Sequence, residues 1–204
     1  MLKDNKWRNP AAIVECEWLF NRLGDENIRI FDCTTYLHYT DDDPSKPYDV
    51  ESGFSDYKKN SIPGAAFIDV QNDLSDQDSI YSLTVPNFQR LGESVKQLGI
   101  GDPYHVILYA RNGMQWATRV WYLLHALGYE NVSILNGGFN EWARLNFPIE
   151  PGRKTYAPAE FDLKTKDAMF VDKNDILKAI NAVSYTHLRA HETGRNLVCR
   201  LLLE

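Results

Sequence analysis

HVILY, residues 105–109, is a continuous apolar strand, and Trp116, Val120, Leu123, Leu124 and Leu127 follow it at helical spacing until Gly128. A strand without a polar side has to be covered on both faces. This happens when parallel strands lie between two layers of helices. The same unit recurs along the chain. IRIFD (28–32), AAFIDV (65–70) and NVSIL (131–135) read as further buried strands. Phe88, Leu91, Val95 and Leu98 mark a helix that opens at Pro86 and stops at Gly99, and Phe139, Trp142 and Leu145 mark a shorter one. At the start, Ile13, Val14, Trp18, Leu19 and Leu23 share one helical face. The expected fold class is α/β, a three-layer domain with a central parallel sheet flanked by helices.

Residues 38–61 are polar, with two prolines and one glycine, and read as an excursion from the core. From Phe147 to Lys166 three prolines and the loss of helical period predict a linker. MFVDKNDILKAI then starts another unit: a brief strand, Asp172 as N-cap with Asp175 three residues on, and a helix through Ile176, Leu177 and Ile180.

Composition narrows the function. The 204 residues carry a formal charge of -6 with no Lys/Arg cluster, which argues against nucleic acid because phosphate neutralisation supplies most of that affinity. No apolar run approaches the ~20 residues of a membrane span, and the first residues lack an apolar signal region, so a cytoplasmic protein is expected. The three cysteines, Cys16, Cys33 and Cys199, have neither paired nor metal-ligand spacing. His38 with Asp41, Asp42 and Asp43 reads as a solvated stretch, and no metal site or cofactor is expected.

In parallel sheets the ligand lies beyond the carboxyl ends of the strands, which points to the segment after Tyr109. Ala110 stands at that corner, and Arg111, Asn112, Gly113, Met114 and Gln115 lead into the helix. Those five residues are a candidate anion loop, because a helix N-terminus offers free N–H groups and a partial positive charge. Trp116 and Arg119 read as packing and surface-pairing residues. Cys33 and Asp32, at the end of an earlier strand, read as a buried small hydrophobe and a structural carboxylate.

EWLFNRL, SIPGAAFIDV, LYARNGMQWATRVWYLLHALGY and SILNGGFNEW together resemble the N-terminal half of a two-domain thiosulfate sulfurtransferase of the rhodanese family. The resemblance implies a nucleophilic cysteine at a strand end, whose persulfide is held by a cradle of backbone N–H groups. The matching position is Ala110, so no catalytic residue is expected here. In tandem members the second domain commonly supplies the cysteine. The implied partners are a small sulfur-donor anion, thiosulfate, a thiophilic acceptor and the second rhodanese domain of the same protein. Related enzymes acting on mercaptopyruvate use a histidine just before IPGA, where this chain has Ser61, which favours thiosulfate.

The implied division is a non-catalytic rhodanese-like domain over 11–148, a linker over 149–166 and the start of a truncated second domain over 167–182. VSYTHLRAHETGRNLVCRLLLE (183–204) resembles a translated sequencing-library adaptor, so His187, His191 and Cys199 are left out of any site. The rival reading is a cysteine-less rhodanese-like binding or regulatory module. A phosphatase of the same fold would need a cysteine at Ala110.

Overall fold

A computed structural model describes residues 9–40 and 48–180, and the chain divides into two compact units that meet between Lys166 and Asp167. In the first unit β1 (Ile13–Val14) precedes α1 (Cys16–Phe20), β2 (Ile28–Asp32), β3 (Thr35–Tyr39), β4 (Tyr48–Ser52) and α2 (Phe54–Lys59). Then come β5 (Ala66–Phe67), α3 (Phe88–Gln97), β6 (His105–Tyr109), α4 (Gln115–Ala126), β7 (Val132–Leu135) and α5 (Gly138–Arg144). Five strands form one all-parallel sheet in the order β1-β7-β6-β2-β5. It is the α/β class expected from the alternating pattern.

The centre of this sheet is dry because its strands are apolar throughout. Val106, Ile107, Leu108 and Tyr109 are fully buried, and strand alternation sends successive side chains to opposite faces. Ile107 and Tyr109 join Ile30, Leu135, Cys16, Leu19 and Trp142 in a cluster that seats α1 and α5. α4 packs against β6 and β7.

Several elements depart from the sequence reading. Ile13 and Val14 do not begin a helix. They pair in parallel with Ile134 and Leu135, and the helix opens only after the extended Glu15. Two β-branched residues beside an open sheet edge gain more from the ladder than from a first helical turn. α3 opens two residues later than Pro86 suggests, because the Asn87 side chain caps it by accepting from the Arg90 N–H at 2.9 Å. AAFIDV is strand only at Ala66–Phe67. An antiparallel pair, β3 with β4, runs into the polar excursion and stands apart from the main sheet. Asp41, Asp42 and Asp43 lie outside the described residues.

Residues 147–166 have no helix or strand of their own, but they are laid along the domain by backbone bonds. Ser61 and Glu150 exchange two hydrogen bonds, Gly152 N–H donates to Tyr57 O, and Ala159 N–H donates to Lys96 O. Further on, Lys164 and Lys166 N–H donate to Leu127 O and Ala126 O. The Tyr156 hydroxyl accepts from Ile30 N–H at 3.0 Å and donates to Gly64 O at 2.8 Å. Ala159 and Phe161 are buried, and this strap closes over the turn after α4.

In the second unit a 3-10 turn (Asp167–Met169) precedes α6 (Lys173–Ile180). Asp172 and Asp175 cap α6 reciprocally, the Asp175 N–H donating to Asp172 Oδ1 at 2.9 Å and the Asp172 N–H to Asp175 Oδ2 at 3.1 Å. The cap is where the spacing places it, but the expected strand before it does not form: Met169 ends the 3-10 turn and residues 170–172 are irregular, since a strand forms only where a neighbouring edge accepts its ladder. Val171, Ile176, Leu177 and Ile180 are exposed. Residues 181–204, including the adaptor-like stretch with His187, His191 and Cys199, lie outside the described residues.

Candidate functional site

β6 ends at Tyr109 in the middle of the sheet, and the chain turns over its carboxyl edge through Ala110 into a loop that becomes α4. Ala110 is buried, and its carbonyl accepts from the Phe139 N–H at 3.1 Å. The turn into α5 passes directly over it. A Cβ on Gly138 would lie 2.3 Å from Ala110 O, and Gly138 has φ +58, so only glycine fits this approach. The wall beside Ala110 is therefore backbone.

Among the described residues, the N–H groups of residues 111–117 find no acceptor, and the first donation inside the helix is Thr118 N–H to Met114 O at 2.8 Å. Met114, at the N-cap, is itself helical and caps nothing with its side chain. Gly113 has φ +115, and Gln115 Nε2 donates back to Asn112 O at 3.2 Å. The loop thus keeps its donors unspent.

Arg111 does not extend that donor set. Its guanidinium turns inward, donating to Asp32 Oδ2 at 3.2 Å and to Asn60 O, and lies 3.9 Å from the centre of the Phe139 ring. Asp32 is fully buried and also accepts from the Thr34 N–H and hydroxyl. Burial raises its carboxyl above the usual range, while Thr34 and Arg111 pull against that rise. This pair neutralises the loop's cation. It also braces the segment before Ser61, whose neighbour Ile62 donates its N–H to the Tyr109 hydroxyl at 3.3 Å. Ser61 is buried with its own hydroxyl donating to Glu150 O.

The thiols lie near this edge, Cys33 donating its N–H to Tyr109 O and Cys16 reaching Asn136 O, but their chemistry is quiet. Cys33 is fully buried, and burial together with Asp32 drives its thiol well above the ordinary value. Burial also holds the Cys16 thiol at about 12. Neither is a nucleophile at neutral pH. Trp116 is buried as expected. Arg119 differs from its reading as a surface-pairing residue. It meets no carboxylate among the described residues and donates instead to the Leu83 carbonyl, at a residue with φ 61. No sequence signal marked Leu83 as its partner, because that contact joins segments 36 residues apart.

A parallel α/β sheet with a thiol-less, donor-rich loop at the carboxyl edge of its central strand defines the class of site. The Rhodanese-like domain family matches residues 15–145, and the chain belongs to that family. It is 29% identical over 190 residues to mouse 3-mercaptopyruvate sulfurtransferase, covering 90% of this chain and 61% of that protein. It is 28% identical over 195 residues to mouse thiosulfate sulfurtransferase, covering 91% and 61%. Among solved structures it resembles SseA from Escherichia coli, described for the rhodanese fold of 3-mercaptopyruvate sulfotransferases, with a TM-score of 0.68, 27% identity, and coverage of 82% of this chain and 61% of that one. The chain spans about three fifths of the length of these curated relatives. No helix among the described residues is long and apolar enough to cross a membrane.

Proposed function

We propose that this chain is the non-catalytic N-terminal half of a cytoplasmic two-domain sulfurtransferase that takes sulfur from thiosulfate. The observation that carries this reading is Ala110: the cradle position of a rhodanese-like domain with its N–H groups open and no thiol to use them. On this reading residues 11–148 are the first domain and 149–166 the connection. Residues 167–182 open a second domain that bears the nucleophile, and 183–204 are adaptor-derived. The cysteine of that domain attacks the sulfane sulfur and releases sulfite, and the persulfide then passes its sulfur to a thiophilic acceptor. The half described here packs against the catalytic half and walls its site. Arg111 to Gln115 supply the anion loop, with the Arg111 charge kept for Asp32 and the backbone facing the ligand. Ser61, where related enzymes acting on mercaptopyruvate have a histidine, supports thiosulfate over mercaptopyruvate.

The lack of a thiol also favours a second reading, a binding or regulatory module that needs no further domain. One experiment separates the two. The source DNA is sequenced beyond the codon for Ala182, and the full frame and the present chain are assayed with thiosulfate and with mercaptopyruvate. The expected result is a continuing frame whose thiosulfate turnover depends on a cysteine in the second domain, while this chain alone is inactive. If the DNA encodes residues 183–204 and then stops, the module reading replaces the enzyme half. Turnover by this chain that Cys33→Ala abolishes sinks both.

A further inference from the structure

Arg29, on β2, is only 6% exposed and meets no carboxylate among the described residues. Burying a cation in this way is costly unless something balances it. Its Nη1 donates to Gly99 O and, at 2.9 Å, to Ala157 O. A Cβ on Gly99 would stand 2.7 Å from that nitrogen, so this end of the guanidinium is closed by backbone. The centre of the Tyr104 ring lies 3.4 Å from the guanidinium carbon and covers one face, and Tyr156 flanks it at 5.0 Å. The rings offset part of the cost, but they supply no counter-charge.

The other end is open. Nε and Nη2 donate to nothing among the described residues, yet neither is sealed from solvent. Arg29 lines a cavity of about 290 Å³, and these are the donors it has left to face it. Ile28, Ile30, Pro63 and the two tyrosines make the walls largely apolar. Ile28 opens β2 and Tyr104 immediately precedes β6, so the cavity lies at the amino ends of the parallel strands, the edge opposite Ala110. Its rim holds Arg22 and Lys154 beside Asp25 and Glu26, all four exposed, and so adds no net charge to that of Arg29.

We propose that this cavity binds a small organic monocarboxylate, with its carboxylate on Arg29 and its apolar body between Tyr104 and Tyr156. The edge left open by the Gly99 and Ala157 carbonyls is the Nε–Nη2 fork, whose parallel N–H groups match the two oxygens of a carboxylate. A single negative charge balances the single unpaired cation at the base. A tetrahedral dianion fits less well, because its third and fourth oxygens meet apolar wall and its second charge meets a rim that is neutral in sum. The site rests on this domain alone and is independent of the sulfurtransferase reading.

The test is calorimetric titration of the chain with sodium benzoate and with sodium sulfate, ionic strength being held constant with chloride. Saturable binding of benzoate is expected, tighter than that of sulfate. Arg29→Lys keeps the charge but loses the fork, and should weaken benzoate binding about tenfold, roughly the loss of one charge-assisted hydrogen bond. Lys154→Glu changes only the exposed rim, so it reports on the site even where Arg29→Lys fails to fold; a weakening of about threefold is expected from the reversed charge. Absence of saturable benzoate binding, sulfate binding as tight as benzoate, or benzoate binding that every folded variant leaves unchanged overturns the site.

Discussion

At the scale of single residues the site is organised by one buried ion pair. Asp32 ends β2, Arg111 follows β6, and their contact fixes the loop to the sheet and to Asn60. Removing one partner of such a pair leaves the other charged and buried. Arg111→Leu is therefore expected to cost about 3 kcal/mol in urea unfolding, while breaking the exposed pair Arg144–Glu141 should leave the urea midpoint nearly unchanged. Two imidazoles contribute to the acid side of stability. The Ser133 hydroxyl donates to Ala11 O, so His105 donates its Nε2–H to Ser133; burial lowers its pKa from 6.5. Burial also lowers the pKa of His125, against the opposing pull of Glu130. Below 6.5 the unfolded chain binds more protons than the folded one. The stability these groups lend is thus complete above that pH and lost as pH falls through their folded values. Melting curves from pH 5 to 8 should show this slope, and it should flatten in a His105→Gln, His125→Gln variant. The buried thiols should be silent to a thiol reagent: in a Cys199→Ser background, neither Cys16 nor Cys33 reacts at pH 8 until the chain is unfolded.

At the scale of elements the strap over residues 147–166 matters more than its composition suggests. Its bonds to Ser61, Tyr57, Lys96, Leu127 and Ala126 tie α2, α3 and α4 to one another along one strap. Close approach explains one glycine directly. A Cβ on Gly128, at φ +88, would lie 2.7 Å from Lys164 O, so Gly128→Ala suffers both backbone strain and a clash with the strap. A drop in melting temperature of several degrees is expected, larger than for Gly24→Ala, where the positive φ alone strains the backbone and nothing lies within 4 Å. A chain ending at residue 148 should lose cooperative unfolding by circular dichroism, and one ending at 166 should keep it. Equal melting of the two would show that the strap is dispensable.

At the scale of the whole molecule, the α/β layering was visible in the sequence for a definable reason. Continuous apolar runs such as HVILY have no stable place except between two layers, and spacings such as Phe88, Leu91, Val95 and Leu98 fit only a helix, so fold class follows from local pattern. The position of the loop after Tyr109 and its lack of a thiol were also legible, since both depend on one strand end and one residue. What the sequence did not disclose depends on long-range partners. Ile13 and Val14 became a strand because β7 was beside them, whereas residues 169–171 formed no strand. Arg111 reads as part of an anion loop until the fold sets Asp32 within 3.2 Å of it and consumes its charge. Arg119 reads as surface until Leu83, far along the chain, supplies a carbonyl and no acid. Periodicity and turn chemistry act over a few residues, and they determined the layers and the corner. Charge pairing, orphaned donors and strand register are settled by contacts between distant segments, and only the tertiary structure decided those.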